Sequence, residues 1–250
     1  MTPIFDAGLR VSTFRALLVT VVLFSVPMVA SGTVPGVPVA PVSAVSSVAE
    51  PVVPAMAVPG PVSTDVLDLA FSAASCAVRA GSVQSPATLT VIDYSKPSTE
   101  KRLWVFDMRT RAVLYEELVA HGMGTGDNLA TAFSNELDSH KTSLGLFVTE
   151  GTYVGKNGYS LRLNGLDQGF NDRARERAIV MHGAPYVSEA FAQAQGRLGR
   201  SWGCPALREA VAREVIDRVK GGNLVFAYYP DAQWLKTSQY LGDCAAAAQP

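Results

Sequence analysis

The chain has 250 residues, 48% of them hydrophobic, and a formal net charge of −1. That length is enough for one sizeable core, and the near-neutral balance supplies no basic face of the kind nucleic-acid binding requires. The apolar excess is gathered at the N-terminus, which argues against a membrane bundle and leaves no nucleic-acid partner to be expected.

The first segment reads as a leader. Arg10 and Arg15 precede the run ALLVTVVLFSVPMVA at 16–30, which has signal-peptide length and is short for a membrane span. Small residues at Ala30, Ser31 and Gly32 suit cleavage there, so 1–31 is assigned to a signal peptide, with an uncleaved N-terminal anchor as the alternative. No cysteine borders the run to accept a lipid, and export to the periplasm or cell envelope is expected. Residues 32–62 are almost entirely Val, Pro, Ala, Ser and Gly, and repeated prolines forbid a helix and disfavour a central strand. A disordered, polyproline-like linker is expected, suited to tethering a domain to a membrane or wall.

Ser63, Thr64 and Asp65 then form a helix-start signal, and Val66, Leu69, Ala70, Ala73 and Ala77 recur at helical spacing up to Gly81. This N-terminal helix, in 63–86, is expected to pack on the domain that follows. From Ala87 the period changes to that of half-buried strands, at 87–94, 102–108, 112–122, 145–151, 159–165, 178–183 and 223–229. Arg109, Thr110 and Arg111 make a hairpin-length link. Between the last two strands, 206–220 has a helical pattern, with Val211, Val215 and Val219 on one face and Gly221-Gly222 as the stop. The expected architecture is mainly β, mostly antiparallel with a few edge helices, spanning 87–231 and followed by a C-terminal tail at 232–250.

Histidines occur at 121, 140 and 182, and cysteines at 76, 204 and 244. Export favours paired cysteines. A Cys76–Cys244 staple is therefore a hypothesis, against two unpaired thiols. Cys204 lies in GRSWGCPAL (199–207), where Gly203 allows a tight backbone and Pro205 suits a first helical position. That would place Cys204 at a helix N-cap, where dipole and free amides favour the thiolate and can face an oxyanion. Taken alone, the cysteine reads equally as a small buried hydrophobe. His182 adds a base: AIVMHG (178–183) is an apolar strand ending in His182-Gly183, a rigid place to present an imidazole to a thiol. The alternative is a structural histidine bonded to a carbonyl. No HxxxH, HxH or CxxC spacing is present, so neither metal nor other cofactor is expected.

His182-Gly183 followed by Ser201-Trp202-Gly203-Cys204 is similar to the signature of the L,D-transpeptidases, the cysteine enzymes that cross-link bacterial peptidoglycan. Thr142-Ser143-Leu144-Gly145-Leu146-Phe147 resembles a second family run, with Ser143 where proline is usual. VAHGMGTGDN (119–128), FSN (133–135) and GRSWGCPA (199–206) look like the branch of murein L,D-transpeptidase catalytic domain proteins, and the resemblance covers roughly 89–229. It implies a β-sandwich or barrel with Cys204 as nucleophile and His182 as base, the imidazole oriented by a backbone carbonyl. It also implies that Ser201, Gly203 and Gly183 shape the loop and oxyanion site, and that peptidoglycan stem peptides are the substrate. The commoner pattern continues Cys-x-Arg, whereas Ala206 stands here. Arg200 and Arg197, just upstream, are expected either to meet an anionic stem peptide or to be solvated loop charges. The expected activity is cross-linking through a cysteine thioester. The alternatives are an L,D-carboxypeptidase or endopeptidase that uses water, and a non-catalytic wall-binding module.

Overall fold

A computed structural model describes residues 62–242. The expected signal peptide, the linker up to residue 61, and Cys244 lie outside the described residues.

Helix α1, Thr64–Arg79, begins where its cap predicts: the Ser63 hydroxyl accepts the Val66 amide. Asp65 in its first turn and Arg79 in its last complement the helix dipole, and Gly81 follows at φ +70°. Strands β1 (Thr88–Asp93) and β2 (Leu103–Asp107) come next. The expected hairpin link follows, with Asp107 Oδ1 accepting the amides of Arg109 and Thr110. The run at 112–122 is not one strand but two, β3 (Val113–Glu117) and β4 (Val119–Ala120). Beyond them lie β5 (Gly145–Gly155), β6 (Gly158–Gly165), β7 (Val180–Ala184), α2 (Glu189–Gln195), β8 (Ala206–Arg208), α3 (Glu209–Val219), β9 (Leu224–Tyr228) and α4 (Ala232–Thr237).

These strands form one nine-stranded sheet in the order β3-β2-β1-β9-β5-β6-β7-β8-β4. Only β1–β9 and β7–β8 are parallel. The split at Leu118 nearly closes the sheet. Its two end strands, β3 and β4, are consecutive in the chain, so one continuous segment serves both edges. The Glu117 carboxylate at the split takes Arg208 at the end of β8 in a two-pronged pair of 2.6 and 2.8 Å.

The central strands β1, β2 and β9 are buried on both faces rather than half-buried, because alternate residues feed two cores. Ile92, Leu103, Val105, Leu161, Met181 and Val225 face one core with Val215, Ile216 and Val219 of α3. Leu89, Val91, Trp104, Phe106 and Phe226 face the other, under α1 and the fully buried Trp234 of α4. Thus the segment read as a tail opens with a packed helix.

The helical pattern at 206–220 also resolves differently. Ala206 and Leu207 are fully buried in β8, with Ala206 opposite His182 on β7 and Leu207 opposite Val119 on β4. Strand pairing on both sides overrides local helix propensity there, and α3 starts only at Glu209, after Arg208 has returned to the surface. Pro205 therefore precedes a strand, and the expected helix N-cap at Cys204 does not exist.

Candidate active site

The parallel register of β7 and β8 brings the two sequence-distant candidates together. His182 pairs with Ala206, and its amide donates to the Pro205 carbonyl at 3.4 Å. Cys204, one residue further back, turns its sulfur toward β7: the Val180 amide donates to Sγ at 3.4 Å, and the Ala178 carbonyl lies 3.8 Å away. Both side chains are buried, Cys204 at 8% and His182 at 4% exposure.

The His182 ring is held by a backbone carbonyl, as the resemblance implies, through Nδ1 to Gly183 O at 2.9 Å. A carbonyl only accepts, so the proton sits on Nδ1 and Nε2 carries the free lone pair. Burial lowers the imidazole pKa, opposed by that hydrogen bond. Burial raises the Cys204 thiol, opposed by the Val180 amide and then by the charge of Arg177. The resting pair at neutral pH is therefore a protonated thiol beside a neutral imidazole, in place of the dipole-stabilised thiolate that a helix N-cap would have favoured. Among the described residues no hydrogen bond joins the two side chains, since Sγ is engaged by the strand backbone.

The loop before Cys204 is fixed from several sides. Ser201 Oγ accepts the Gly203 amide at 3.1 Å and donates to the Cys204 carbonyl at 2.6 Å. The Ser201 amide donates to His121 O, and its carbonyl accepts from Met123 N. Thr142 Oγ1, from the second resemblance run, accepts the Gly122 amide at 2.9 Å and faces Gly203 O at 3.4 Å. Gly203 sits at φ +114°, and a Cβ there would meet Lys141 O at 2.7 Å. Gly183 offers its carbonyl to His182, and its bare Cα lets α3 approach, a Cβ meeting that of Ala212 at 3.0 Å.

Arg200 and Arg197 are not free guanidinium groups. Arg200 Nη1 reaches Asp127 at 2.9 Å and Gly126 O at 3.2 Å, while Arg197 Nε lies 3.8 Å from the same carboxylate and its Nη1 donates to Leu198 O. Trp202 is instead the exposed feature of the motif, at 66%, with the His140 ring stacked on it at 4.8 Å and Lys156 Nζ 5.8 Å from its centre.

Two groups escaped sequence reasoning. Arg177 donates to Ser134 O, Lys141 O, Ser139 Oγ and Ser143 Oγ, which places its charge beneath Gly203 and near the thiol. Behind the loop, the fully buried Arg102 donates to Val119 O, Lys96 O and His121 Nδ1, with Tyr94 under its guanidinium. No local pattern marks either arginine, because their partners come from distant loops. Only their position beside apolar strands hints that they are not surface charges. Among the described residues no group of three or more His, Cys, Asp or Glu side chains is placed to hold a metal ion.

A nearly closed nine-stranded sheet with few helices makes this a mainly β domain, with His182 on β7 and Cys204 in the loop that leads into β8 both buried. Residues 60–228 match the L,D-transpeptidase catalytic domain family, and the chain belongs to that family. No curated protein matches it. Among solved structures it is similar to an L,D-transpeptidase from Mycobacterium smegmatis, at 16% identity over 57% of this chain and 59% of that one, with a TM-score of 0.36. It is also similar to the helical cell shape determining protein Pgp2 from Campylobacter jejuni, at 14% identity over 71% and 61%, with a TM-score of 0.40. L,D-transpeptidase 1 of Mycobacterium tuberculosis matches at 14% identity over 56% and 61%, with a TM-score of 0.33. The chain spans about three fifths of the length of these proteins.

Proposed function

We propose that the protein is an exported cysteine L,D-transpeptidase that acts on peptidoglycan stem peptides. Membership of the family supports the reaction class, and the leader-like run at 16–30 supports export. The observation that carries the assignment of roles is the β7–β8 register, which sets Cys204 beside a histidine whose Nδ1 is committed to Gly183 O.

In this reading His182 Nε2 takes the thiol proton as Sγ attacks the carbonyl of the amide between an L-centre and a D-residue, in the commonest stem diaminopimelate–D-alanine. The oxyanion is received at the Cys204 amide, since the Gly203 amide is already given to Ser201 Oγ. Collapse breaks the C–N bond, the imidazolium returns its proton to the departing amine, and a thioester remains on Cys204. An amine of a neighbouring stem then loses a proton to His182, attacks the thioester and forms the cross-link, restoring the thiol. Water in the same place gives hydrolysis and an L,D-carboxypeptidase or endopeptidase.

Turnover of tetrapeptide muropeptides by the mature protein, followed by mass spectrometry, tests this reading. Loss of D-alanine with cross-linked product is expected from the wild type and none from Cys204→Ala. A wild type inert on every tetrapeptide stem would point to a wall-binding module instead.

A further inference from the structure

Among the described residues every other aromatic side chain is buried or half-buried, whereas Trp202 is 66% exposed. An indole left in water forgoes a large burial gain, yet this one is held still. Its backbone is clamped on both sides: the Ser201 amide and carbonyl are bonded to His121 O and Met123 N, and the Gly203 amide to Ser201 Oγ. Its ring is stacked on that of His140 at 4.8 Å, the two planes 18° apart. His140 reaches it from a loop in which Asp138 and His140 both hold positive φ, +53° and +52°, which costs energy in residues that carry a Cβ. The result is a rigid, exposed apolar face in the loop that carries Cys204.

The groups around that face narrow what it can take. His140 covers one side of the ring, and at 66% exposure the other is open. Lys156 Nζ stands 5.8 Å from the ring centre and makes no hydrogen bond or ion pair with any described residue. A bare ammonium there opposes a second cation over the ring. A single indole is far short of the area that a stable protein interface needs. A flat, neutral ring with C–H groups on one face and hydrogen-bonding groups at its rim meets both conditions, since its face packs on the indole and the ammonium donates at the rim. A pyranose is such a ring.

Trp202 precedes Cys204 by two residues, so their Cα atoms are at most about 7 Å apart. In the proposed reaction three stem residues stay on Cys204, and they span at most about 11 Å to the sugar that carries them. The sugar is thus within reach of the indole. We propose that Trp202, steadied by His140, packs against the N-acetylated sugar that carries the donor stem, with Lys156 donating at its rim. The inference rests on the reading of Cys204 as the acylated residue, and it adds that the donor is recognised through its glycan as well as its peptide.

Of the three tryptophans, Trp104 and Trp234 are fully buried, so acrylamide quenching of the intrinsic fluorescence reports on Trp202. The full chain carrying Cys204→Ala, which separates recognition from turnover, is titrated with a disaccharide-tetrapeptide and, separately, with the free tetrapeptide of the same sequence. The disaccharide-tetrapeptide is expected to protect the fluorescence from quenching and, by calorimetry, to bind about tenfold more tightly than the free peptide. Adding Trp202→Ala should abolish that advantage without changing the affinity for the free peptide, and Trp202→Phe should retain part of it. Equal affinity for the two ligands, an advantage that survives Trp202→Ala, binding of the disaccharide-tetrapeptide without protection, or no binding of either would overturn the platform. Failure of the separate turnover assay alone would count against the enzymatic reading, so the two results are read independently.

Discussion

His182 and Cys204 are each buried, and burial acts on them in opposite directions: the imidazole is pushed toward its neutral form and the thiol toward its protonated form. In the proposed reaction the base is therefore ready at neutral pH, and the nucleophile needs it. With the imidazole pKa below its ordinary 6.5, protonation removes the base only in acid. kcat/KM on a tetrapeptide donor is expected to stay flat through neutral pH and to fall below about pH 6.5, with no rise of the thiolate type near neutrality. An acid limb above pH 7 would contradict this. His182→Gln should lower kcat/KM by about 10²- to 10⁴-fold, the usual contribution of a positioned base. Arg177 belongs to the same scale as a positioning residue. Its charge favours the Cys204 thiolate, so Arg177→Gln should move the pH profile of thiol alkylation to higher pH and Arg177→Lys should recover part of the shift. A profile unchanged in Arg177→Gln would confine Arg177 to holding the 134–143 loop.

At the level of elements, α1 and most strands were legible because their signals are local: the Ser63 cap, the period-two runs and the Gly stops. What could not be read was decided by distant neighbours. Ala206 and Leu207 look helical until β7 and β4 take them as strand partners, and Trp234 looks like part of a tail until α4 lays it across the sheet. The short α2 carries its own start and stop in Ser188 and Gly196, a signal that was present but, with no buried residue, lacked the apolar period that draws attention. In the site, His182 and Cys204 were visible as motif residues, whereas the N-cap environment assumed for Cys204 followed from reading β8 as helix. Because Trp234 is wholly enclosed, Trp234→Ala should cost about 3–5 kcal/mol in chemical denaturation. A loss below about 1 kcal/mol would mean that α4 contributes little to the core. The segment Val119–Gly122 depends on buried His121, whose pKa is pulled down to about 4, chiefly by burial and then by the charge of Arg102. The unfolded chain takes up this proton near 6.5 and the folded chain only near 4. This contribution, about 3 kcal/mol, is thus complete above the upper value and is lost as pH falls toward the lower. His121→Asn should flatten that part of the stability–pH curve.

Across the whole molecule, one nearly closed sheet serves two ends. One face is covered by α1 and α4, and the adjacent strands β7 and β8 carry His182 and the loop with Cys204. Cys76 on α1 is disulfide-bonded, whereas Cys204 is free and buried. Among the described residues the free thiol is thus the one the proposed chemistry requires, and pairing of Cys76 with Cys244 is the proposal that completes this division. Alkylation of the denatured, unreduced protein should label Cys204 alone. Among the described residues no helix is long and apolar enough to cross a membrane. The most direct test of the account is peptide mapping of the wild-type protein quenched during turnover of a tetrapeptide stem. A tripeptidyl thioester on Cys204 is predicted. An acyl group on any other residue, or undiminished turnover by Cys204→Ala, would contradict it.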